Sequence, residues 1–267
     1  MFFMIDELKK NLRSQFEGKK ISILASGPTL DLFLENEEEI RNENLILGVN
    51  GASVILREGD VFISGEEGTH LEPWFYSCPE GVRNIVRACS ALYTERFYPD
   101  KCERVGLINR FEEFLMVNEK YVKTRWDGIR EVIPEEFQNP FDLTLPLPAS
   151  PHMLLHQVKN MGKSVKLNPH QKYFIIGGTV ACIATQAAYH LGAREIHLYG
   201  VPFTNESSMK NPPGQNYSQF LGFSRGGYTT PLQREVFDEI ISHIHCGRTK
   251  VFSHGASRLE NTIKLEK

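Results

Sequence analysis

The chain contains no stretch approaching the roughly 18 consecutive apolar residues of a membrane-spanning helix. The apolar start Met1-Phe2-Phe3-Met4 is followed at once by Asp6 and Glu7, which argues against a signal peptide. Charge of one sign is also missing. The formal net charge is -3 with no basic block, so a nucleic-acid binder is not expected. Cysteine is sparse and unpatterned. Cys78, Cys89, Cys102, Cys182 and Cys246 are odd in number and show no CxxC spacing, which excludes a zinc ribbon or a disulfide frame and suits a reducing cytoplasm. There is no internal repeat and no low-complexity tract. Two phosphate-binding fingerprints are absent as well. No G-x-x-x-x-G-K-[ST] occurs, which removes the P-loop reading, and no G-x-G-x-x-G follows the first strand, which argues against a dehydrogenase.

What is present is a rhythm of short apolar runs separated by helix-length segments. Ile5, Leu8, Leu12 and Phe16 fall on one helical face. Ile21 to Leu24 is apolar without alternation, as a strand buried on both faces would be. A helix over Asp31–Asn42 is expected next, then strands at Leu45–Asn50 and Asp60–Gly65. Ile85–Ala88 and Arg104–Ile108 are plausible strands. Later come a helix of small residues opened by Gly177-Gly178-Thr179, a strand over Glu195–Tyr199, a helix over Leu232–His243 and a last strand over Lys250–Ser253. This spacing predicts an α/β fold with a doubly wound, mainly parallel sheet forming a single nucleotide-binding domain over 1–267. Segment 110–171 interrupts the rhythm. It is aromatic-rich over Phe111–Trp126 and carries five prolines between Pro134 and Pro151, so it reads as an inserted lid or acceptor segment.

In such sheets ligands sit beyond the carboxyl ends of the strands. The turn Ser26-Gly27-Pro28-Thr29 follows the first strand, and Thr29 or Asp31 can cap the helix after it. Backbone N–H groups there and at Gly177-Gly178-Thr179 suit a phosphate, although an ordinary turn without a ligand, or a packing device, fits the same residues. Asn50 ends the second strand where a dinucleotide site would place an acidic residue, and its amide suits a base or ribose edge. Glu66, after the third strand, faces the same crevice on this topology.

Taken together, Ala25-Ser26-Gly27-Pro28-Thr29-Leu30, Gly48-Val49-Asn50, Gly177-Gly178-Thr179-Val180-Ala181 and Leu191-Gly192-Ala193, leading to Tyr199-Gly200, resemble the bacterial sialyltransferase-like glycosyltransferases. They also resemble the related domain of the motility-associated factors that glycosylate flagellin. The resemblance covers roughly 19–70 and 172–260. It implies a Rossmann-like, sialyltransferase-like fold and an inverting, metal-independent transferase. The donor would be a CMP-activated keto sugar of sialic acid, pseudaminic acid or Kdo type, and the acceptor a surface glycan or flagellin.

Carried over by motif, Ser26, Gly27, Pro28 and Thr29 would border the donor phosphate or ribose, and Asn50 would contact the cytidine. Gly177, Gly178 and Thr179 would hold the nucleotide. The chain departs from the family pattern where two tyrosines and a histidine are expected. Thr204 and Met209 stand near the tyrosine positions, and Phe223–Tyr228 occupies the place of the histidine loop. Tyr217, Arg225 and Tyr228 are the candidates for stabilising the departing phosphate. His254 is the first candidate base and Glu66 the second, with a cap or structural histidine on the surface as the alternative for His254. His152, His156, His190 and His243 carry no special claim. No cofactor and no metal beyond the CMP-sugar donor are expected. The expected partners are that donor and a glycan or glycoprotein acceptor, with no nucleic acid, at most peripheral membrane contact, and self-association left open.

Two other readings remain. A 6-hydroxymethylpterin diphosphokinase-like enzyme shares the superfamily fold but needs acidic residues for Mg²⁺, and its D-L-D-G and H-A-H-G-D-N segments are absent here. A non-catalytic nucleotide-binding protein of a glycan locus is the third.

Overall fold

In the computed structural model, residues 4–64, 78–87, 104–108, 179–201, 203 and 231–265 are described. The expected segment 110–171 and the candidates Glu66, Gly177, Gly178, Tyr217, Arg225 and Tyr228 lie outside them.

Among the described residues the fold is α/β, built on one eight-stranded sheet in which every adjacent pair of strands is parallel. Helix α1 (Met4–Phe16) precedes β1 (Lys20–Leu24). A single 3-10 turn (Pro28–Leu30), α2 (Asp31–Glu35) and α3 (Glu37–Glu43) lead to β2 (Asn44–Val49). A second 3-10 segment (Asn50–Ile55) precedes β3 (Val61–Ile63), followed by β4 (Arg83–Arg87) and β5 (Arg104–Ile108). The second half supplies α4 (Val180–His190), β6 (Glu195–Tyr199), α5 (Pro231–His245), β7 (Lys250–His254) and β8 (Ile263–Leu265).

The strand order is β5-β4-β3-β2-β1-β6-β7-β8. The chain therefore winds outward from β1 to β5, returns to the centre and winds outward again from β6. The point of reversal lies between β1 and β6, which is where a doubly wound sheet opens a crevice at its carboxyl edge.

Two differences from the sequence expectation have physical causes. The helix expected over Asp31–Asn42 is broken at Asn36, whose side-chain amide donates to the Leu32 carbonyl at 3.0 Å and whose backbone N–H donates to Phe33. An asparagine that bonds its own preceding turn ends a helix instead of extending it. The strand over Lys250–His254 is also not the last. The chain turns through residues 255–262 and adds β8 in parallel, without the helical crossover that parallel neighbours usually need. Side-chain bonds replace that helix. Asp238 of α5 accepts the Asn261 N–H at 3.1 Å, and the Ser253 and Thr262 hydroxyls meet at 2.7 Å.

The core has two parts, one on each face of the sheet. Ile5, Leu8, Leu12 and Phe16 of α1 pack with Ile21, Ile23, Ile196, Leu198 and Val251 and with the apolar sides of α4 and α5. On the other face Leu24, Leu30, Phe33, Ile46, Phe62 and Tyr199 form the second cluster. Arg41 ties α3 to this face. Its guanidinium pairs with Glu37 at 2.7 Å and Asp60 at 2.8 Å and donates to the Ile55 carbonyl. No helix among the described residues is long and apolar enough to cross a membrane.

Candidate functional site

Because all strands run in one direction, the ends of β1, β2, β3, β6 and β7 reach the same edge of the sheet. At its centre the β1–β6 ladder continues past both strands. Ala25 N–H donates to the Tyr199 carbonyl at 2.9 Å and Gly27 N–H to the Gly200 carbonyl at 3.0 Å. Gly200 sits at φ +73, and a Cβ there would lie 2.0 Å from the Ala25 carbonyl oxygen. Both facts require glycine. The Gly200 N–H donates to Thr29 Oγ1 at 2.9 Å. Gly255, after β7, is at φ +68, and a Cβ there would stand 3.0 Å from Thr29 Cγ2. Thr29 thus joins the exits of β1, β6 and β7.

This arrangement changes how the β1 turn can act. The N-cap residues of the 3-10 turn and of α2 are Gly27 and Leu30, neither with a side-chain cap, and the Thr29 hydroxyl oxygen is engaged by Gly200. The N–H of Gly27 is used by Gly200, that of Leu30 by Gly27, and Pro28 has none. A three-residue 3-10 turn followed by a five-residue helix also carries little macrodipole. Ser26, Gly27, Pro28 and Thr29 are half-buried at the rim. The Gly27 and Leu30 amides are therefore engaged within the protein.

Asn50 stands at the end of β2 with φ +46, a left-handed conformation unusual for a residue with a side chain. Its Oδ1 accepts from the Ser64 hydroxyl at 3.4 Å, which links the ends of β2 and β3. Thr179 is the N-cap of α4, its Oγ1 accepting from the Cys182 N–H at 3.2 Å. The other end of α4 is tied to the amino edge of the sheet, since Gly18 N–H donates to the Gly192 carbonyl and Arg194 N–H to that of Lys19. An eleven-residue helix spans about 16 Å, the length of a five-residue strand, so Thr179 lies at the carboxyl edge.

His254 ends β7 and is buried, with 8% of its surface exposed. It is therefore not a surface histidine. Its ring stacks on Tyr199 with centroids 4.0 Å apart and planes inclined by 18°. Its Nε2 lies 3.0 Å from His197 Nδ1, and His197 Nε2 lies 3.4 Å from Glu195 Oε2. His197 stacks in turn on Phe252 at 4.8 Å. Burial pushes the His197 pKa below its ordinary value, partly offset by the Glu195 carboxylate, and burial raises that of the Tyr199 phenol. Sequence reasoning singled out His254 but missed Glu195 and His197. The signal was the alternation of Glu195, His197 and Tyr199 on one side of a strand, which becomes meaningful only once β7 is known to be its neighbour.

The structure thus brings Ser26, Gly27, Pro28, Thr29, Asn50, Thr179 and His254 to one edge of one sheet, with His254 on the face that carries Tyr199. Among the described residues no group of three or more His, Cys, Asp or Glu side chains is placed to hold a metal ion.

No protein-family model matches this chain and no curated protein does. Among solved structures the fold is similar to that of the MAf glycosyltransferase from Magnetospirillum magneticum AMB-1, with a TM-score of 0.52 at 17% identity. The match covers 99% of this chain but 38% of that one, so the likeness is one of fold, extending over a part of a larger protein.

Proposed function

We propose that the chain is a glycosyltransferase that moves a CMP-activated keto sugar of sialic acid, pseudaminic acid or Kdo type to a surface glycan or flagellin acceptor, with inversion and without a metal. The observation that carries the reading is the meeting of the β1, β6 and β7 exits at Thr29, at the same sheet edge where Asn50 ends β2. In this reading the donor lies at the sheet's point of reversal, where this class of fold binds nucleotides. The likeness to a MAf glycosyltransferase fold agrees with it.

In this reading Asn50 meets the cytidine and the Ser26–Thr29 turn lies along the ribose and phosphate. His254 takes the proton of the acceptor hydroxyl. The oxygen's electron pair then forms the bond to the anomeric carbon as CMP departs with the electrons of the broken bond. Tyr217, Arg225 and Tyr228 are the groups proposed to meet the charge on the leaving phosphate, with Glu66 as the second candidate base.

A thermal-shift panel of CMP, UDP, GDP and ATP, each with and without Mg²⁺, tests the donor class. Stabilisation by CMP alone supports the proposal. A response confined to ATP with Mg²⁺ points to a diphosphokinase and removes it. His254→Ala should abolish transfer while CMP still binds, and retained transfer eliminates His254 as the base.

A further inference from the structure

We propose that Arg41 is a positioning residue for Asn50, anchoring the connection from β2 to β3 in the shape that presents the Asn50 amide at the carboxyl edge of the sheet. The role deepens the reading of Asn50 as a nucleotide contact and rests on it for its bearing on CMP.

Asn50 needs an anchor for two reasons. Its φ of +46 is strained for a residue with a side chain, and such strain persists only where the surroundings over-determine it. It also opens a 3-10 segment of six residues, Asn50–Ile55. Runs of this helix beyond about three or four residues are uncommon because their hydrogen bonds are poorly aligned. The segment has no side-chain cap at its start, and the Ser64 hydroxyl meets Asn50 at 3.4 Å. The firm contacts lie at its far end. Arg41 Nη2 donates to the Ile55 carbonyl at 2.7 Å, taking up an oxygen that a helix end leaves open. Leu56, next in the chain, lies directly over Gly48 of β2, where a Cβ would come within 2.7 Å of Leu56 Cδ2. The chain is thus folded back onto the strand from which Asn50 emerges.

Arg41 can serve as the anchor because its guanidinium faces three acceptors at once. Nε donates to Glu37 within α3 at 2.7 Å, Nη1 to Asp60 at 2.8 Å and Nη2 to Ile55. Asp60 Oδ2 also accepts the Arg57 N–H at 2.8 Å, closing the turn that enters β3. Both ends of the stretch 55–60 are therefore fixed to one side chain of α3. The Arg41 and Asp60 side chains are 10% and 12% exposed, and the guanidinium carbon lies 5.6 Å from the centroid of the Phe33 ring. Charge-assisted bonds are short and strong where water is excluded. Burial raises the Asp60 pKa, and the bond from Arg41 opposes that shift. An ammonium has no planar fork, so a lysine here cannot hold the three acceptors together.

The test reads the Asn50 side-chain amide in ¹H–¹⁵N correlation spectra of the full chain without substrate, the amide being assigned by its loss in Asn50→Asp. Arg41→Lys keeps the charge but not the fork, and the Asn50 signals should shift. Glu37→Gln weakens the arm within α3 alone and should leave them in place. Asp60→Asn, which loosens the other end of the anchor, should move the same signals and serves if the lysine variant does not fold. CMP affinity, measured well below each unfolding midpoint, should fall by about fivefold to tenfold in Arg41→Lys, the equivalent of one hydrogen bond. In Glu37→Gln it should keep the wild-type value, a split that a merely stabilising ion pair would not give. Asn50 signals unmoved in both Arg41→Lys and Asp60→Asn, or moved as far in Glu37→Gln, overturn the proposal. Shifted signals in a chain whose wild type does not bind CMP would remove the nucleotide reading and leave the anchoring of Asn50 by Arg41 standing.

Discussion

The backbone N–H of Gly200 donates to Thr29 Oγ1 at 2.9 Å, joining the end of β6 to the turn after β1 across most of the chain. The same threonine meets the turn after β7 through its methyl group. A single side chain therefore sets the spacing of three strand exits around the proposed crevice. Thr29→Val keeps the shape and leaves the Gly200 N–H without its acceptor, at a cost of about 1 to 3 kcal/mol. Thr29→Ser should recover most of that loss. Urea unfolding of the two variants checks the difference, and CMP affinity should follow the same order.

Gly200 and Gly18 share φ +73 but not surroundings. Alanine at Gly18 has nothing within 4 Å of its Cβ, so the left-handed backbone alone should cost about 1 to 2 kcal/mol. At Gly200 the new carbon would lie 2.0 Å from the Ala25 carbonyl oxygen, and the β1 and β6 exits would have to separate. Gly200→Ala is expected to lose more stability than Gly18→Ala and to weaken nucleotide binding as well. Equal midpoints in chemical denaturation would contradict the close approach.

The fold was largely legible in the sequence because buried parallel strands read as short apolar runs. Ile21–Leu24, Leu45–Val49 and Glu195–Tyr199 all form strands, and the spacing of Leu8, Leu12 and Phe16 marks a helical face. What was not legible depends on neighbours distant in sequence. Nothing in Ser26-Gly27-Pro28-Thr29 says that the Gly27 amide and the Thr29 hydroxyl will be engaged by Gly200. Nothing in Ile263-Lys264-Leu265 announces a strand, since three residues carry little pattern. His254 could be chosen as chemically interesting from its place at a strand end. Its link to His197 and Glu195 required the β6–β7 pairing. Which strand ends share an edge was thus foreseeable, but not which of their atoms engage one another.

His190 gives a pH dependence that is independent of the site. It is buried beside Tyr189, its Nε2 has no partner among the described residues, and burial drives its pKa from 6.5 to about 3. The folded state therefore resists protonation while the unfolded chain takes a proton near pH 6.5. Stability contributed by the neutral ring is complete above that value and falls with pH through the window down to about 3. The slope approaches about 1.4 kcal/mol per pH unit in the middle of the window. His190→Gln should flatten that part of the stability curve, measured by urea unfolding between about pH 4 and about pH 6.5. His197, also depressed by burial, adds a term of the same sign.

Thr179 tests whether a capping residue also serves a ligand. Its Oγ1 accepts from Cys182 N–H at 3.2 Å, so Thr179→Ala should cost about 1 kcal/mol through the lost cap alone. Thr179→Asp restores the cap and adds a negative charge beside the proposed phosphate. If Thr179 borders the nucleotide, the aspartate variant should be as stable as wild type yet bind CMP more weakly. Wild-type affinity in the aspartate variant would confine Thr179 to capping.

Asn50 presents the sharpest separation of stability from function. Its φ of +46 costs a residue with a side chain more than it costs glycine, and its carboxamide reaches Ser64 only at 3.4 Å, a weak return for that strain. Strained backbone at a strand exit is characteristic of a position kept for binding. Asn50→Gly should therefore leave stability unchanged or raise it by up to about 1 kcal/mol, while CMP affinity falls because the amide that meets the base is gone. Asn50→Ala should lose both, since it keeps the strain and removes the amide. Calorimetric titration with CMP beside thermal unfolding reads the two effects separately. A glycine variant that binds CMP as wild type does would show that the amide is not a nucleotide contact and that the left-handed turn serves only to start the 3-10 segment after β2.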